Sequence, residues 1–474
     1  MAVWPAPCAS YRPRGSLWLW GVVEFEQGTT HLMHITHHGA RNGVTGSCHQ
    51  LHLNDKRSLL IDCGSFQGKD AKNRDEQVIE FSLEGIQALL VTHVHIDHIG
   101  RIPYLLEAGF RGPIYCTKPT AKLIPLMLED AIRLGITRKQ NVIDDFLKGV
   151  KQLLRPLPYD KWEKLDGGSQ IRFQQAGHVL GSAYIEVEYG EERFVFSGDL
   201  GSRETPLLRD PVSPERADVL VLESTYGNRI HEGREERTQN LEDILCRTLS
   251  NRGVTIIPAF SLGRTQELLY ELNRIFENIE HKTKCPLLGN VDVIVDSPLA
   301  NRLTVVYNEM REYWDEEAQK ILQIDDQPLV FKNLIEIDRP GEHRGTVEYL
   351  KQKGLPAVVI AGSGMCTGGR VVNYLKEFIG RETTDIVFVG YQAEGTPGRY
   401  IIDSDWVRLD GKQYTIRAKV HSLSGYSAHA DQQDLMRFVR GIPTKPREIR
   451  LVHGEEKAQK ALAELLTQEG YFVT

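Results

Sequence analysis

Short apolar runs that end in a polar residue recur through the first half of the chain. Examples span residues 58–64, 88–93, 194–199 and 219–223. Such runs, bounded by glycine turns, predict buried strands, and enzymes built on sheets commonly carry their reactive groups at strand ends. Between these runs, apolar residues at helical spacing predict helices over residues 120–134 and 266–275.

Beyond Glu223 the pattern changes to an alternation of strands and helices. Apolar runs at residues 254–258, 291–295, 357–361 and 385–389 are separated by helical patterns, which predicts a doubly wound α/β unit of roughly 200 residues. Strand ends that carry histidine return only at His429 and His453. If these complete the site begun at His93, the α/β unit is an insertion. We therefore predict an extension outside the fold (1–32), a first domain in two parts (33–227 and 426–474) and an inserted domain (228–425).

Composition narrows the class of protein. The 474 residues are 41% hydrophobic and 26% charged, which excludes disordered, collagen-like and coiled-coil chains. No run approaches the ~18 apolar residues of a membrane helix, and seven scattered cysteines without a C-x-x-C pair argue against a disulfide framework. We expect a cytoplasmic protein without membrane association. A net charge of −7 argues against non-specific coating of nucleic acid but leaves room for a local basic groove.

An array of metal-competent side chains follows the apolar run at residues 88–92. It consists of His93, His95, Asp97 and His98. Imidazole and carboxylate groups packed this densely need a binding partner. A metal ion bound by all of them would be such a partner. His178 and Asp199 lie in glycine-flanked turns after later strands. Nitrogen and oxygen donors without thiolate suit Zn²⁺ or a similar divalent ion. The donors are too many for one tetrahedral ion, so two metals are implied.

These motifs resemble those of a known family. The array, with Asp62, His178 and Asp199, resembles the metallo-β-lactamase fold, an α/β protein with an αββα sandwich and a dinuclear site at one edge. The second half resembles the β-CASP branch, which processes nucleic acids and carries an inserted α/β domain. Three further β-CASP motifs match Glu223 in Glu223-Ser224-Thr225-Tyr226-Gly227, His429 in Ser427-Ala428-His429-Ala430-Asp431, and His453 in Val452-His453-Gly454. The resemblance spans residues 33–474.

The resemblance implies a role for each matching residue. One zinc ion would be held by His93, His95 and His178, and the other by Asp97, His98 and His453. Asp199 would bridge the two ions, and Asp62 would orient the ligands from outside. The catalytic residues would be His429, Glu223 and Asp97.

The implied reaction is hydrolysis of a phosphodiester. Two divalent ions lower the pKa of a shared water and hold the oxygens of an in-line displacement at phosphorus. The departing oxygen also needs a proton, which His429 can supply. Glu223 would hold the His429 ring in the right tautomer and favour its protonated form.

Three glycine-rich segments of the inserted domain are candidate phosphate cradles. They contain Arg264, then Ser363, Gly364 and Arg370, and finally Arg399. Free amides at a helix start and a nearby guanidinium group bind phosphate. Together they predict a wall along which a nucleic acid strand would run.

The resemblance favours RNA over DNA, because the DNA-repair branch typically has valine where this chain has His453. Residues 390–396 resemble the cleavage-and-polyadenylation-factor type rather than ribonuclease J. We therefore expect an endonuclease for single-stranded RNA that leaves 5′-phosphate and 3′-hydroxyl ends, with exonuclease trimming as a further activity. Similar enzymes are commonly homodimers, although no motif here tests this.

Two alternatives stay open. A small-molecule hydrolase of the same fold, acting on a thioester, lactone or lactam, leaves His429, Glu223 and the insertion unexplained. An inactive RNA-binding scaffold would be expected to lack metal ligands, which this chain retains. A di-iron redox protein is disfavoured, because that branch usually has glutamate where His95 stands.

Overall fold

The computed structural model describes residues 33–71, 77–277, 285, 288, 291–354 and 356–474. The prediction for residues 1–32 lies outside the described residues. Three six-stranded sheets and one two-stranded hairpin form in the described parts of the chain. None of the described helices is long and apolar enough to cross a bilayer.

The first sheet begins with antiparallel strands and continues with parallel ones. Its strands in spatial order are β1 (His34–Gly39), β2 (Cys48–Asn54), β3 (Arg57–Ile61), β4 (Ile86–Leu90), β5 (Ile114–Thr117) and β6 (Leu154–Leu157). Its helices are α1 (Ile96–Ile99), α2 (Ile102–Glu107), α3 (Lys118–Gly135) and α4 (Gln140–Leu153). The helix predicted over residues 120–134 is α3. It begins at Thr117, whose hydroxyl accepts the Thr120 amide at 3.3 Å and caps the first turn.

The second sheet packs face to face against the first. Its spatial order is β20 (Glu448–Val452), β11 (Val219–Glu223), β10 (Glu192–Phe196), β9 (Ala183–Tyr189), β8 (Gln170–Gln175) and β7 (Glu163–Lys164). Leu51 and Ile61 of the first sheet share an apolar core with Ile185, Phe196 and Val221 of the second. The outer face of the second sheet is covered by α12 (Gln432–Arg440) and α13 (Glu456–Gln468). The αββα sandwich expected from the sequence is confirmed.

The inserted domain is built around the third sheet. Its strands, all parallel, run in the order β14 (Leu334–Glu336), β13 (Asp292–Asp296), β15 (Ala357–Ala361), β12 (Val254–Pro258), β16 (Asp385–Phe388) and β19 (Lys419–Ser422). The described helices are α5 (Arg234–Asn251), α6 (Arg264–Glu277), α7 (Pro298–Glu309), α8 (Glu316–Ile321), α9 (Pro340–Lys353), α10 (Val371–Phe378) and α11 (Pro397–Asp403). Neighbouring residues Ile256 and Ile257 belong to different apolar cores, so both faces of the sheet are covered. The helix predicted over residues 266–275 is α6.

The sandwich closes only when the chain returns from the inserted domain. Strand β11 ends at Glu223, and β20 pairs with it in parallel, so that Glu223 lies opposite Val452. The polar residues at these two strand ends, Glu223 and His453, are thereby brought to one edge of the second sheet. Topology therefore joins motifs that are more than two hundred positions apart in the sequence.

Candidate metal centre

The candidate site lies where strand ends of both sandwich sheets meet. Asp62 follows β3, His93 follows β4, and Asp199 follows β10. Asp62 and His453 adopt left-handed backbone angles, with φ of 58° and 51°, a conformation that costs of order 1 kcal/mol and persists only where surrounding contacts hold it. Gly64 is required nearby, because a Cβ there would lie 1.5 Å from the Asp97 carbonyl oxygen.

A first group of four donor atoms has the spacing of a metal site. His95 Nδ1 lies 3.2 Å from His93 Nε2 and 3.0 Å from His178 Nε2. Asp199 Oδ2 lies 3.4 Å from the His93 nitrogen and 3.6 Å from the His178 nitrogen. A tetrahedral ion with bonds of ~2.0–2.1 Å separates its ligand atoms by about 3.3 Å. The distances between these four donor atoms therefore match those between the ligand atoms of a tetrahedral metal site.

A second group uses the other oxygen of Asp199. Asp199 Oδ1 lies 3.3 Å from His98 Nε2 and 3.4 Å from His453 Nε2, and Asp97 Oδ2 lies 3.9 Å from the same His453 nitrogen. Burial alone would raise the pKa of Asp199, but His453 and His98 hold it well below its usual value. The two oxygens of Asp199 thus face the two groups of histidine nitrogens.

The residues present fit a bound metal. His98 Nε2 and Asp199 Oδ1 are buried without a hydrogen-bond partner in the described structure, which is costly unless a cation completes them. Burial lowers the pKa of His93 and His178 well below the usual value and that of His95 to about 4. Neutral imidazole is the form that binds metal. The nitrogen and oxygen donors suit zinc.

The remaining ring nitrogens of two candidate ligands are held by protein groups. The Nδ1 of His98 lies 2.7 Å from Asp62 Oδ2, and the Thr92 amide and hydroxyl each donate to Asp62 at 2.8 Å. The Nδ1 of His178 donates to the Ala428 carbonyl at 3.1 Å. Because Nδ1 has a hydrogen-bond partner in both rings, Nε2 is the nitrogen that remains free to bind a metal ion.

His429 lies beside the donor groups and against a buried carboxylate. Its Nδ1 is 3.2 Å from Glu223 Oε2, and Glu223 also accepts the Leu200 amide at 2.6 Å. Burial, the largest influence, lowers the pKa of His429, but the charges of Glu223 and Asp199 outweigh it and raise that pKa. The His429 side chain is 16% exposed, whereas Glu223 is fully buried. The Glu223 carboxylate therefore favours the charged form of a ring that lies beside the donor groups.

Three side chains at the start of the inserted domain hold the loop that carries His429. The guanidinium groups of Arg237 and Arg264 donate to the carbonyls of Gly425 and Tyr426. His231 Nε2 donates to the His429 carbonyl at 3.1 Å. Sequence reasoning missed His231. Its one signal was its position shortly after the Glu223 motif, which by itself says nothing about the contact.

Two of the arginines predicted to contact substrate are engaged inside the protein. Arg264 is 3% exposed, and its guanidinium pairs with Glu267 as well as with the Tyr426 carbonyl. Arg370 donates to Asp296 Oδ1 at 2.6 Å and to the Ile337 carbonyl at 2.8 Å. In this arrangement one nitrogen of each guanidinium faces a buried carboxylate, while Nε and Nη2 of Arg264 are buried without a hydrogen-bond partner in the described structure. Helix α6 and strand β13 supply these partners, which the glycine-rich patterns do not reveal.

Of the other predicted substrate residues, Ser363 and Arg399 are partly exposed and Gly364 is buried. The hydroxyl of Ser363, in the loop after β15, is 3.2 Å from the hydroxyl of Thr367. Gly364 packs against Phe260, with whose ring a Cβ would clash at 2.8 Å. Arg399 is partly exposed and lies 2.6 Å from Asp403 on the same helix.

Replacement of Arg264 by alanine is expected to lower the free energy of unfolding by about 3 kcal/mol, because Glu267 loses a buried partner. Urea denaturation measures this. Arg274→Ala is the control: Arg274 lies on the same helix but is exposed, with its guanidinium 3.0 Å from Glu317, and its loss should cost below about 1 kcal/mol. Equal stability of the two variants would contradict the buried role of Arg264.

Comparison with protein families matches three consecutive parts of the chain. Residues 41–226 match the metallo-beta-lactamase superfamily, residues 265–401 the Beta-Casp domain, and residues 413–474 the Zn-dependent metallo-hydrolase RNA specificity domain. The sandwich and its donor groups thus define a metal-dependent hydrolase of the metallo-β-lactamase superfamily.

Individual relatives narrow this class. The chain is 38% identical to ribonuclease TTHA0252 of Thermus thermophilus, over 93% of this chain and 98% of that protein. It is 32% identical to transcription termination factor FttA of Methanocaldococcus jannaschii, over 88% of this chain and 66% of that longer protein. The chain belongs to the β-CASP family, as the motifs predicted. A crystal structure of a protein of unknown function from Enterococcus faecalis shares the fold, with a TM-score of 0.52, 12% identity and coverage of 93% of this chain and 96% of that one.

Proposed function

We propose that this protein is a zinc-dependent endoribonuclease that hydrolyses single-stranded RNA. The observation that carries the proposal is the buried Glu223 carboxylate against His429, with two metal-donor groups alongside. Bound metal ions alone can catalyse many kinds of hydrolysis. A proton donor placed beside them is needed when the leaving group is a poor one, such as the alkoxide released from a phosphodiester. Two findings support RNA as the substrate: the similarity to a relative that is named as a ribonuclease, and the match of residues 413–474 to an RNA specificity domain.

Two zinc ions would be held by the donor groups that share Asp199. The first would use His93, His95 and His178, and the second Asp97, His98 and His453. When bound, such ions supply Lewis acidity at the phosphate and lower the pKa of water. Of the second group, Asp97 has the most exposed side chain, at 22% against 4% for His453. We therefore place Asp97 at the mouth of the site, where it meets incoming water and substrate.

The protein's own residues complete the reaction at the leaving group. A water oxygen bonds to phosphorus as the bond between phosphorus and the 3′ oxygen breaks. His429 gives its Nε2 proton to that 3′ oxygen, because its Nδ1 is held by Glu223. The products are a 5′-phosphate and a 3′-hydroxyl end. The attacking water loses one of its protons to solvent or to a neighbouring carboxylate, and this proton balances the one that His429 gives to the leaving oxygen.

Substrate contacts are assigned to three positions of the inserted domain. Ser363, the amides near Gly364 and the partly exposed Arg399 remain candidates for phosphate binding, while Arg264 and Arg370 act within the fold. Exonuclease trimming, a homodimer and a cytoplasmic location belong to the same proposal. The buried thiols of Cys48 and Cys63 are not joined to each other by a disulfide, which is compatible with a reducing compartment.

Neither alternative accounts for the site as well. A small-molecule hydrolase does not need the Glu223 and His429 pair, and an inactive scaffold does not need two complete donor groups.

The test is incubation of zinc-replete protein with 5′-labelled single-stranded RNA and with DNA of the same sequence, with products resolved at nucleotide resolution. We expect internal cuts in RNA that disappear on chelation and return with zinc, because the proposed reaction needs the ions that the donor groups would hold. Intact RNA in the presence of metal-loaded protein would refute the ribonuclease. Turnover of a thioester or lactam substrate would then favour the small-molecule hydrolase.

A further inference from the structure

A two-stranded hairpin of the inserted domain has one buried and one exposed face. Its strands are β17 (Trp406–Leu409) and β18 (Lys412–Thr415), paired antiparallel with Trp406 opposite Thr415. Val407 and Leu409 are buried in the apolar core that also covers the third sheet. Because side chains alternate along a strand, the residues between them point the other way. The hairpin is thus anchored by one face and free on the other.

The free side of the hairpin combines an aromatic ring with cations. We define the hairpin face as Trp406, Arg408, Gln413, Thr415 and Arg417. Trp406 is 42% exposed, and every other member is exposed as well. Arg408 lies opposite Gln413 in the pairing register, on the same face as Trp406. The hairpin face therefore places a tryptophan and an arginine side by side, two positions apart on one strand.

No carboxylate neutralises these arginines within the described structure. Neither Arg408 nor Arg417 has an acidic partner within 4.0 Å among the described residues, whereas Arg399 and Lys376 nearby are paired with Asp403 and Asp410. The hairpin face itself contains no acidic residue. The two arginines are therefore local cations without an acidic partner in a chain of net charge −7, although the exposed Asp405 and Asp410 stand at the two ends of β17.

An exposed tryptophan beside unpaired arginines fits single-stranded nucleic acid. Bases of a single strand stack on aromatic rings, which contributes ~1–3 kcal/mol per base. Arginine binds phosphate with two parallel hydrogen bonds. An apolar protein partner would leave the two arginines unpaired, and an acidic one would not use the ring. RNA uses both.

The hairpin face is connected to the seam between the two domains. Helix α11 packs against β17 and against β19, and it follows directly after the loop of residues 390–396. That loop contacts the sandwich domain, because Tyr391 donates to Glu455 and Glu394 lies 3.7 Å from Lys69. One helix therefore separates the hairpin from the domain seam at which the site lies.

We propose that the hairpin face is an accessory binding surface for single-stranded RNA, separate from the cleavage site. The inference rests on the proposed ribonuclease function and extends it. An RNA long enough to reach from the donor groups across α11 would stack a base on Trp406 and place phosphates at Arg408 and Arg417. A short RNA would occupy the cleavage site alone.

The test compares the double variant Trp406→Ala/Arg408→Ala with wild type on two labelled RNAs, of about six and about thirty nucleotides. Affinity for the long RNA, measured by fluorescence anisotropy, is expected to fall about 10- to 100-fold, since 1.4 kcal/mol is a factor of ten. Its dependence on salt should weaken by about one unit of slope. Cleavage of the short RNA should proceed at the wild-type rate, because no residue of the cleavage site is changed.

The control is Tyr349→Ala/Arg344→Ala. Tyr349 is 46% exposed on α9 and lines a groove with Ile335 of β14, the strand at the opposite edge of the third sheet from β19. This pair also removes an exposed ring and a cation, but should leave affinity for the long RNA unchanged. Equal losses in both double variants would overturn the proposal, since the effect would then be general surface charge. Urea denaturation of each variant checks that the fold is retained.

The outcomes separate the two proposals. If wild type cleaves the short RNA and the hairpin variant binds the long RNA as wild type does, the accessory surface is refuted while the ribonuclease stands. If wild type with metal neither binds nor cleaves RNA, the ribonuclease itself is refuted. If the hairpin variant loses self-association with unchanged RNA affinity, the face is a contact between copies of this chain and the RNA surface is wrong.

Discussion

Replacement of Asp199 by alanine is expected to release bound zinc and to reduce RNA cleavage by more than about 100-fold. Loss of a residue that only hydrogen-bonds to a metal ligand typically costs about 10- to 100-fold, and loss of a ligand should cost more. The reason is its position: one oxygen lies 3.4 Å from His93 Nε2 and the other 3.3 Å from His98 Nε2. A single side chain therefore contributes to both donor groups. Zinc content per chain and the initial rate of RNA cleavage are the two measurements.

Two further variants make the Asp199 result interpretable. Asp199→Asn keeps the shape but removes the negative charge, so it should bind less zinc while remaining folded. Asp210→Ala is the matched control, because Asp210 is partly exposed and its carboxylate lies 3.4 Å from the guanidinium of Arg203. It should keep both zinc content and activity. Full zinc occupancy in Asp199→Ala would show that Asp199 does not join the two groups.

Replacement of His429 by alanine is expected to lower the cleavage rate by about 10²- to 10⁴-fold, the usual contribution of a general acid, with zinc content unchanged. The ring is held by Glu223 at 3.2 Å, and its free nitrogen is left to protonate the leaving oxygen. Glu223→Gln should produce a smaller loss of rate, because the amide can still orient the ring but no longer favours its charged form. The measurements are the rate under single-turnover conditions and zinc content.

Metal content decides between two roles for His429. Asp199, His429 and His453 also place donor atoms within 4.8 Å of one another, so a ligand role is a concrete alternative. Loss of one zinc ion in His429→Ala would establish that role and contradict the general acid. His421→Ala is the control: His421 lies on β19, and its Nε2 is 2.7 Å from Asp385, so its loss should leave both zinc content and cleavage rate unchanged.

The sequence did not reveal the intramolecular partners of two arginines in the inserted domain that it predicted to bind substrate. Arg264 and Arg370 stand in glycine-rich segments that are typical of phosphate cradles, yet their guanidinium groups face Glu267 and Asp296. For Arg370, the partner lies 74 positions away in the sequence. A motif indicates that a cation is near a turn, but the direction of the side chain depends on which strands and helices pack beside it.

The sequence by itself determined the class of protein, the alternation of strands and helices, and the candidate donor residues at strand ends. These features are local: periodicity reports which face of a segment is buried, and a ligand motif consists of neighbouring residues. Only the tertiary structure decided which oxygen of Asp199 faces which histidines, that His231 and two arginines hold the loop of His429, and that Trp406 and Arg408 share an exposed face. Those relations arise from the pairing of β11 with β20 and from packing across the domain seam. They join residues far apart in the chain, so no local pattern contains them.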